Sequence, residues 1–514
     1  MSNKVLIFSP CAWEELEGIT NTKDTTNLVG VPLSAISVPV FLDQEGYDIR
    51  VISGAEMNYM DKVLSHVHDS ICVGITSMTG NQITQGVKVA KAIKKKKPTI
   101  KIIWGGYHPS LMPEQTASFS GADAVVEGYG ERAFYEIVKA IEQNKGFEGI
   151  AGVTYSDGDK IIKNSPRTLE DINNFPSPAY HLIDVEKYFT KELGPRTVHY
   201  VTSRGCPNNC QFCADVQVYK RKWNALDPVR VIDDFEMLKE RYNVSGIRIS
   251  DSEFFTNEKR VISIFQGVID RKINIKWGRA NGTISCLLRY KPSTWELLMK
   301  SGLHSVLVGA ESGYDKALAR IKKKQTMEEL LELSKLSRKY KFYVHYSFMF
   351  GIPIDLDDPV NMRDEVRLEI LKTLKIINKL YRLYRKYSRV LIFRYTVYPG
   401  GEFYNEIVAK GGYKEPKSLE EWAKITLWHS ESPWLTPEET ELIDELIFMV
   451  RKMHPSVVSP TLGRHRGIIY ALLRKIREIK NVISKTSLRK NGDGSVFYPF
   501  PKKDKVTPSA FLEG

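Results

Sequence analysis

The chain has 514 residues and a formal net charge of +13 at pH 7, a length beyond what one hydrophobic core organises, so two domains and an appendage are expected. Its 42% hydrophobic and 11% aromatic content excludes disorder over most of the chain, and no apolar run approaches the roughly 18 to 20 residues that cross a bilayer. Six unevenly spaced cysteines argue against a disulfide framework and for a reducing, cytoplasmic setting; no basic region precedes a long apolar run at the amino terminus, so no secretory signal is expected.

From the amino terminus, KVLIFSP, YDIRVIS, ICVGITS, KIIWGG and DAVVEG are apolar runs without alternation, as in parallel strands covered on both faces. Between them PLSAISVPVFLDQEG, NQITQGVKVAKAIKKKKP and the shorter MPEQTASFSGA have the pattern of crossover helices. Residues 1–145 are therefore expected to form a doubly wound, Rossmann-like α/β domain with its ligand site at the strand carboxyl ends. Those ends carry Ser77 and Thr79, then Gly105, Gly106, Tyr107 and His108, then Glu127, Gly128, Gly130 and Glu131. Glycines at consecutive strand ends let backbone approach a large, flat or phosphate-bearing ligand, although any one of them also suits a tight turn.

Residues 146–195 are expected to be a connector, with a small hairpin in GVTYSDGDKIIKNSP. From 196 to 405 a second alternation begins: VHYVTSRG, GIRISDSEF, IKWGRAN, SVLVGAESG, YVHYSFMFGIP and VLIFRYTVYPG, with helical segments between them. Six β/α units predict a partial barrel whose chemistry sits at the strand carboxyl ends. Residues 406–514 are expected to be helical, with a capping box of Thr436 and Glu439 and Pro437 at the first helical position. Further on, Ile469, Leu472, Ile476 and Ile483 recur at helical spacing beside Arg474, Lys475, Arg477 and Lys480, a basic amphipathic helix that either docks on its own protein or makes peripheral membrane contact.

Half of the cysteines lie in SRGCPNNCQFC, at 206, 210 and 213. Structural zinc takes four ligands, usually from paired knuckles, and no second knuckle follows; a disulfide would leave one thiol over. Three thiolates can instead hold three irons of a four-iron four-sulfur cluster and leave the fourth open to an exogenous ligand.

The pattern C-x-x-x-C-x-aromatic-C, with Phe212 in the aromatic slot, at the end of the first of six barrel strands resembles the radical S-adenosylmethionine (SAM) superfamily. ISDSEFF is similar to that family's position for the methionyl amine, with Asp251, Ser252 and Glu253 as polar candidates, although it departs from the common Gly-Gly-Glu form. VGAESG resembles the fourth-strand element, placing Glu311 and Ser312 toward the amino-acid or ribose hydroxyl groups. FMFGIP is similar to the segment along adenine, at Gly351, Ile352 and Pro353, and YPGGEFY resembles the sixth-strand turn with Gly401 where Thr is usual. A doubly wound domain ahead of such a barrel looks like the cobalamin-binding domain of cobalamin-dependent radical enzymes. The loop SPCAWEELEGI lacks Asp-x-His-x-x-Gly, so no histidine is expected below the cobalt, and the dimethylbenzimidazole tail is expected inside the sheet domain.

The resemblance implies an enzyme that methylates an unactivated carbon through a 5′-deoxyadenosyl radical and methylcobalamin. It implies as cofactors a 4Fe–4S cluster, SAM and cobalamin. An oxidative cyclase or ring-rearranging enzyme shares every motif named. The implied partners are a small-molecule or lipid-like substrate and an external electron donor of ferredoxin or flavodoxin type. An electron carrier would complete its cluster with a fourth cysteine, and no nucleic-acid recognition motif accompanies the basic charge; no nucleic-acid partner is expected.

Overall fold

The computed structural model describes residues 3–11, 25–384, 386–425 and 431–453, the side chains of the last helix only as far as residue 447. A first sheet contains β1 (Lys4–Ser9), β2 (Asp48–Ser53), β3 (Ser70–Thr76), β4 (Lys101–Gly105), β5 (Ala124–Val126), β6 (Val153–Asp157) and β7 (Lys160–Lys163), in the order β2-β1-β3-β4-β5-β6-β7. Strands β1 to β5 pair in parallel. Val5, Leu6, Val73, Ile102 and Val125 have no exposed surface, as the unbroken apolar runs require of strands covered on both sides. The connector hairpin β6–β7 does not stand apart: β6 pairs antiparallel with β5 and extends this sheet. The first crossover also differs from the single helix expected. It is two short helices, Leu33–Ser37 and Val40–Gln44, with Pro39 between them, because proline has no N–H to carry a helix through.

The second sheet is built from β8 (Thr197–Tyr200), β11 (Gly246–Ile249), β12 (Lys276–Asn281), β13 (Leu303–Glu311), β14 (Tyr343–Phe350) and β15 (Ser388–Arg394), all parallel, in the order β15-β14-β13-β12-β11-β8. A two-strand ribbon of β9 (Ser203–Arg204) and β10 (Asn224–Ala225) flanks its first strand. Side-chain alternation fixes which residues face the lumen. Tyr200 bonds Asp234, Trp277 stacks on Phe265 at 3.8 Å, and the Tyr346 hydroxyl lies 2.6 Å from Ser334, each on a covering helix. The residues between them on each strand therefore point inward. One covering helix, Pro359–Tyr384, runs for 26 residues.

Past the barrel the chain returns to the first domain. Helix Leu419–Trp422 carries Trp422, whose indole N–H donates to Gln115 Oε1 at 2.5 Å, while Thr84 donates to the Ala423 carbonyl and Gln115 to that of Pro416. Helix Pro437–Met453 has the expected capping box: Glu439 N–H donates to Thr436 Oγ1 at 3.2 Å and Thr436 N–H to Glu439 Oε2 at 2.9 Å. The basic amphipathic segment, 465–485, and the loop SPCAWEELEGI after Cys11 lie outside the described residues. Among the described residues no helix is long and apolar enough to cross a membrane.

Candidate active site

A cavity of about 530 Å³ opens at the carboxyl ends of the first sheet. Ser77, Gly105, Gly106, Tyr107, Gly128, Gly130 and Glu131 line it, and it descends beside Gly74, Ile103 and Phe134 into the sheet domain. Gly106 shows why glycine is needed: its φ is +101° and an added Cβ would lie 2.7 Å from the Ser77 carbonyl. Among the described residues no histidine lines the cavity. His108 turns away from it, fully buried, with Nδ1 2.9 Å from Thr79 Oγ1 and its ring 5.4 Å from that of Trp422. Burial holds its pKa down, to about 3. Glu127 also faces elsewhere, accepting from Thr154 and pairing with Lys163. Thr79, His108 and Glu127 are thus not in the cavity wall that the sequence pattern assigned them: Thr79 and Glu127 adjoin lining residues along their strand-end loops, and His108 lies on the buried side of the short helix Tyr107–Leu111.

The opposite wall of the same cavity is the barrel: Val201, Ser203, Arg204, Ser250 and Ser252 from the ends of β8, β9 and β11, and Tyr219 beyond the cysteine loop. Cys206, Cys210 and Cys213 are half-buried and unbridged, with Phe212 half-buried between the last two. Gly205 enters the loop at φ +79°, where a Cβ would strike the Lys222 carbonyl at 2.1 Å. Gln211 ties the loop to two helix ends, its N–H to the Ile321 carbonyl that follows helix Asp315–Arg320 and its side chain to Glu402 at the start of helix Glu402–Lys410, at 2.8 Å. Among the described residues no three His, Cys, Asp or Glu side chains converge on one ion position; a four-iron cluster takes one thiolate at each of three irons. Burial raises all three thiols, Cys206 to about 11 and Cys213 to about 12, so loading the site must expel their protons.

At the later strand ends the structure separates scaffold from open groups. Asp251 is fully buried and its oxygens accept from Thr202 N–H, Thr202 Oγ1 and Ser203 Oγ, each at 2.6 Å. Glu253 accepts from the N–H groups of Phe255 and Thr283, and burial raises it to about 7. Both carboxylates, expected to meet a ligand amine, are spent on neighbouring strand ends, and only Ser252 of that trio reaches the cavity. Glu311 sits in the left-handed region at φ +59° and pairs with Lys323 at 3.0 Å. Ser312 donates to Glu369 at 2.8 Å, and Gly351 N–H donates to the same carboxylate at 3.2 Å, while the Gly351 carbonyl accepts from Trp434 at 2.8 Å. Ile352 and Pro353 follow, buried, and Gly401 packs on Gln217 at φ +92°.

Comparison with known families matches residues 200–366 to the radical SAM superfamily and residues 23–138 to the B12-binding domain. This chain belongs to the cobalamin-dependent radical SAM enzymes. Its cofactors are therefore a 4Fe–4S cluster, SAM and cobalamin. An "uncharacterized methyltransferase" of Pyrococcus horikoshii is 27% identical over 490 residues, covering 93% of this chain and 98% of that protein. An anaerobic magnesium-protoporphyrin IX monomethyl ester cyclase of Rubrivivax gelatinosus is 26% identical over 54% of this chain and 51% of its own length. Among solved structures, the radical SAM methyltransferase TsrM of Kitasatospora setae, with cobalamin and a [4Fe–4S] cluster bound, aligns at TM-score 0.64 over 94% of this chain and 100% of that one. At 14% identity that likeness is one of fold.

Three residues of this radical SAM enzyme were not visible as site residues in its sequence. Lys323 is one of three consecutive lysines; burial pulls its pKa down, and Glu311 and Cys210 more than reverse that. Glu369 lies inside the long helix Pro359–Tyr384, without exposed surface. Arg204, two residues before Cys206, forms an ion pair with Glu131 across the cavity wall; its place in the strand-to-cysteine turn was the one available signal.

Proposed function

We propose that this enzyme methylates an unactivated carbon of a small-molecule substrate held between its two domains. The carrying observation is the cavity itself: one wall is the glycine-bearing strand ends of the B12-binding domain, and the other is barrel strand ends at Val201, Ser250 and Ser252 with Ser203, Arg204 and Tyr219, which flank the cysteine loop. When bound, the cofactors supply a 5′-deoxyadenosyl radical and a methyl group carried on cobalt. The chain's share is placement and exclusion of water.

In this reading Cys206, Cys210 and Cys213 hold the cluster, with Phe212 packed in their loop. Ser252 and Glu311 face the SAM amino acid and ribose, Ser312 fixes that strand end through its bond to Glu369, and backbone at Gly351, Ile352 and Pro353 lies along adenine. Asp251, Glu253 and Glu369 hold those segments rather than touching the ligand. Ser77, Gly105, Gly106, Tyr107, Gly128, Gly130 and Glu131 would border cobalamin, and the part of the cavity beside Gly74 and Phe134 would take its tail. An external one-electron donor of ferredoxin or flavodoxin type reduces the cluster. Support for methyl transfer over cyclisation comes from the relative matched over nearly its whole length, which is named a methyltransferase, whereas the cyclase matches over half of its own.

The test is mass-spectrometric quantification of small products after anaerobic reconstitution with iron, sulfide and hydroxocobalamin, followed by SAM and a strong reductant. S-adenosylhomocysteine together with 5′-deoxyadenosine is the expected result. 5′-Deoxyadenosine alone would replace the reading with the cyclase one.

A further inference from the structure

Below the cavity, the barrel lumen contains a layer of arginine and histidine side chains that neither the cluster nor the SAM segments use. His199 on β8 and Arg248 on β11 are register partners. Their strand neighbours Val198, Tyr200, Ile247 and Ile249 have no exposed surface on the helix side, so His199 and Arg248 face the lumen. Arg279 of β12 joins them from a register irregularity, with its backbone in the left-handed region at φ +57°, a conformation that costs free energy in a residue carrying a Cβ. Its Nη1 donates across the lumen to Nδ1 of His345 on β14 at 2.6 Å.

Charge in this layer does not balance. Glu192 serves both guanidiniums: Arg248 Nη1 donates to its two oxygens at 3.0 and 3.2 Å, and Arg279 Nη2 lies 3.8 Å from one of them. Among the described residues no second carboxylate pairs with either arginine. Hydrogen-bonding capacity is also unfilled: Arg248 Nε, Arg279 Nε and His199 Nε2 are buried without a partner. A purely structural ion-pair network would satisfy these groups, because unpaired charge and orphaned N–H in a protein interior are destabilising.

Position connects the layer to the cavity. Val201 and Ser250, two residues beyond His199 and Arg248 on the same faces, line it, which sets the layer about 7 Å deeper at a strand rise of roughly 3.3 Å per residue. Gly30, another lining residue, lies against the His199 ring so closely that a Cβ would come within 2.5 Å of Cε1. Arg248 and Glu192 nevertheless keep 29% and 31% of their side-chain surface open, so a small anion can reach them.

We propose that this layer binds an oxoanion group of the substrate, a carboxylate or a phosphate ester, at the end remote from the carbon that is methylated. The proposal rests on the reading that substrate occupies the cavity between the domains. Two planar guanidinium forks with an imidazole beside them match oxoanion geometry, and one arriving negative charge offsets the excess that Glu192 leaves.

The test is calorimetric titration of the full chain with inorganic phosphate and, separately, acetate, with chloride holding ionic strength constant; it needs no cluster, cobalamin or turnover. Saturable binding of at least one probe at one site per chain is expected. Arg248→Gln and Arg279→Gln should each weaken it roughly tenfold or more, while Lys96→Gln, which removes an equal charge from the exposed surface, should not. Glu192→Gln should tighten binding, a change of opposite sign that damage to the fold would not produce. The probe preferred identifies the oxoanion as carboxylate or phosphate. Absence of saturable uptake of both probes, or equal affinities across Arg248→Gln, Arg279→Gln and Glu192→Gln, would overturn the site and leave the methyl-transfer reading standing. Loss of S-adenosylhomocysteine formation with intact phosphate uptake would do the reverse.

Discussion

Arg204 and Glu131 form an ion pair between the strand that leads into the cysteine loop and the first turn of helix Gly130–Glu142. Glu131 keeps 3% of its side-chain surface exposed and Arg204 24%, the guanidinium lying 5.0 Å over the Tyr129 ring. One oxygen, Glu131 Oε2, is buried without a partner. Glu131→Gln strands the guanidinium beside neutral neighbours and should destabilise the protein by about 3–5 kcal/mol, the usual effect of removing one member of a buried pair. Adding Arg204→Met to that variant should recover most of the loss. Denaturant melts of the two variants check this; equal losses would mean that the pair is not the source.

Cys210→Ala should abolish cluster assembly, lowering iron from about four per chain to near background after reconstitution. 5′-Deoxyadenosine formation should disappear with it. Cys72→Ala, a buried thiol in β3, should leave the iron content as it is.

Glu369 is a single buried acceptor for Ser312, Thr373 and Gly351, so Glu369→Ala leaves three donors unmatched and should weaken SAM binding more than it lowers the rate at saturating SAM. Burial raises its pKa to about 7. The folded state therefore holds a proton that the unfolded chain releases from about pH 4.5 upward, and stability falls as pH rises through the window from 4.5 to 7. The full shift corresponds to about 3 kcal/mol. Glu369→Gln should flatten that part of the profile of melting midpoint against pH; an unchanged slope would reject the assignment.

His108 predicts the opposite slope. Its folded pKa near 3 lies below the unfolded value of about 6.5, so below that pH the unfolded chain binds the extra proton and stability drains away as pH falls toward 3. His108→Gln should reduce the loss of melting temperature between pH 7 and pH 5, whatever its effect at neutral pH.

Much of this was legible in the chain itself. Unalternated runs such as ICVGITS and SVLVGAESG announced parallel strands, and Thr436 with Glu439 announced a helix start, because those signals are local. Asp251 and Glu253 were legible as polar groups at a strand end but not as scaffold: what consumes them is the backbone of Thr202, Phe255 and Thr283, whose arrival depends on strand register. Glu369 was invisible for a related reason, since an acidic residue in a helix ordinarily faces water and only the packing of Pro359–Tyr384 over β14 and β15 buries it. His108 belonged to a motif correctly placed at a strand end, yet which way a side chain leaves such a turn is decided by Thr79 and Trp422, 29 and 314 residues away.

Trp422, Ala423 and Pro416 bond to Gln115 and Thr84 across 301 to 339 positions of sequence. On a ribosome adding about 5–20 residues per second, the B12-binding domain emerges and waits on the order of 15–60 s for that covering segment. A chain halted before Gly401 would therefore present the flank around Gln115 and His108 bare to solvent. The first domain of this enzyme is the earliest part made and among the last to be closed.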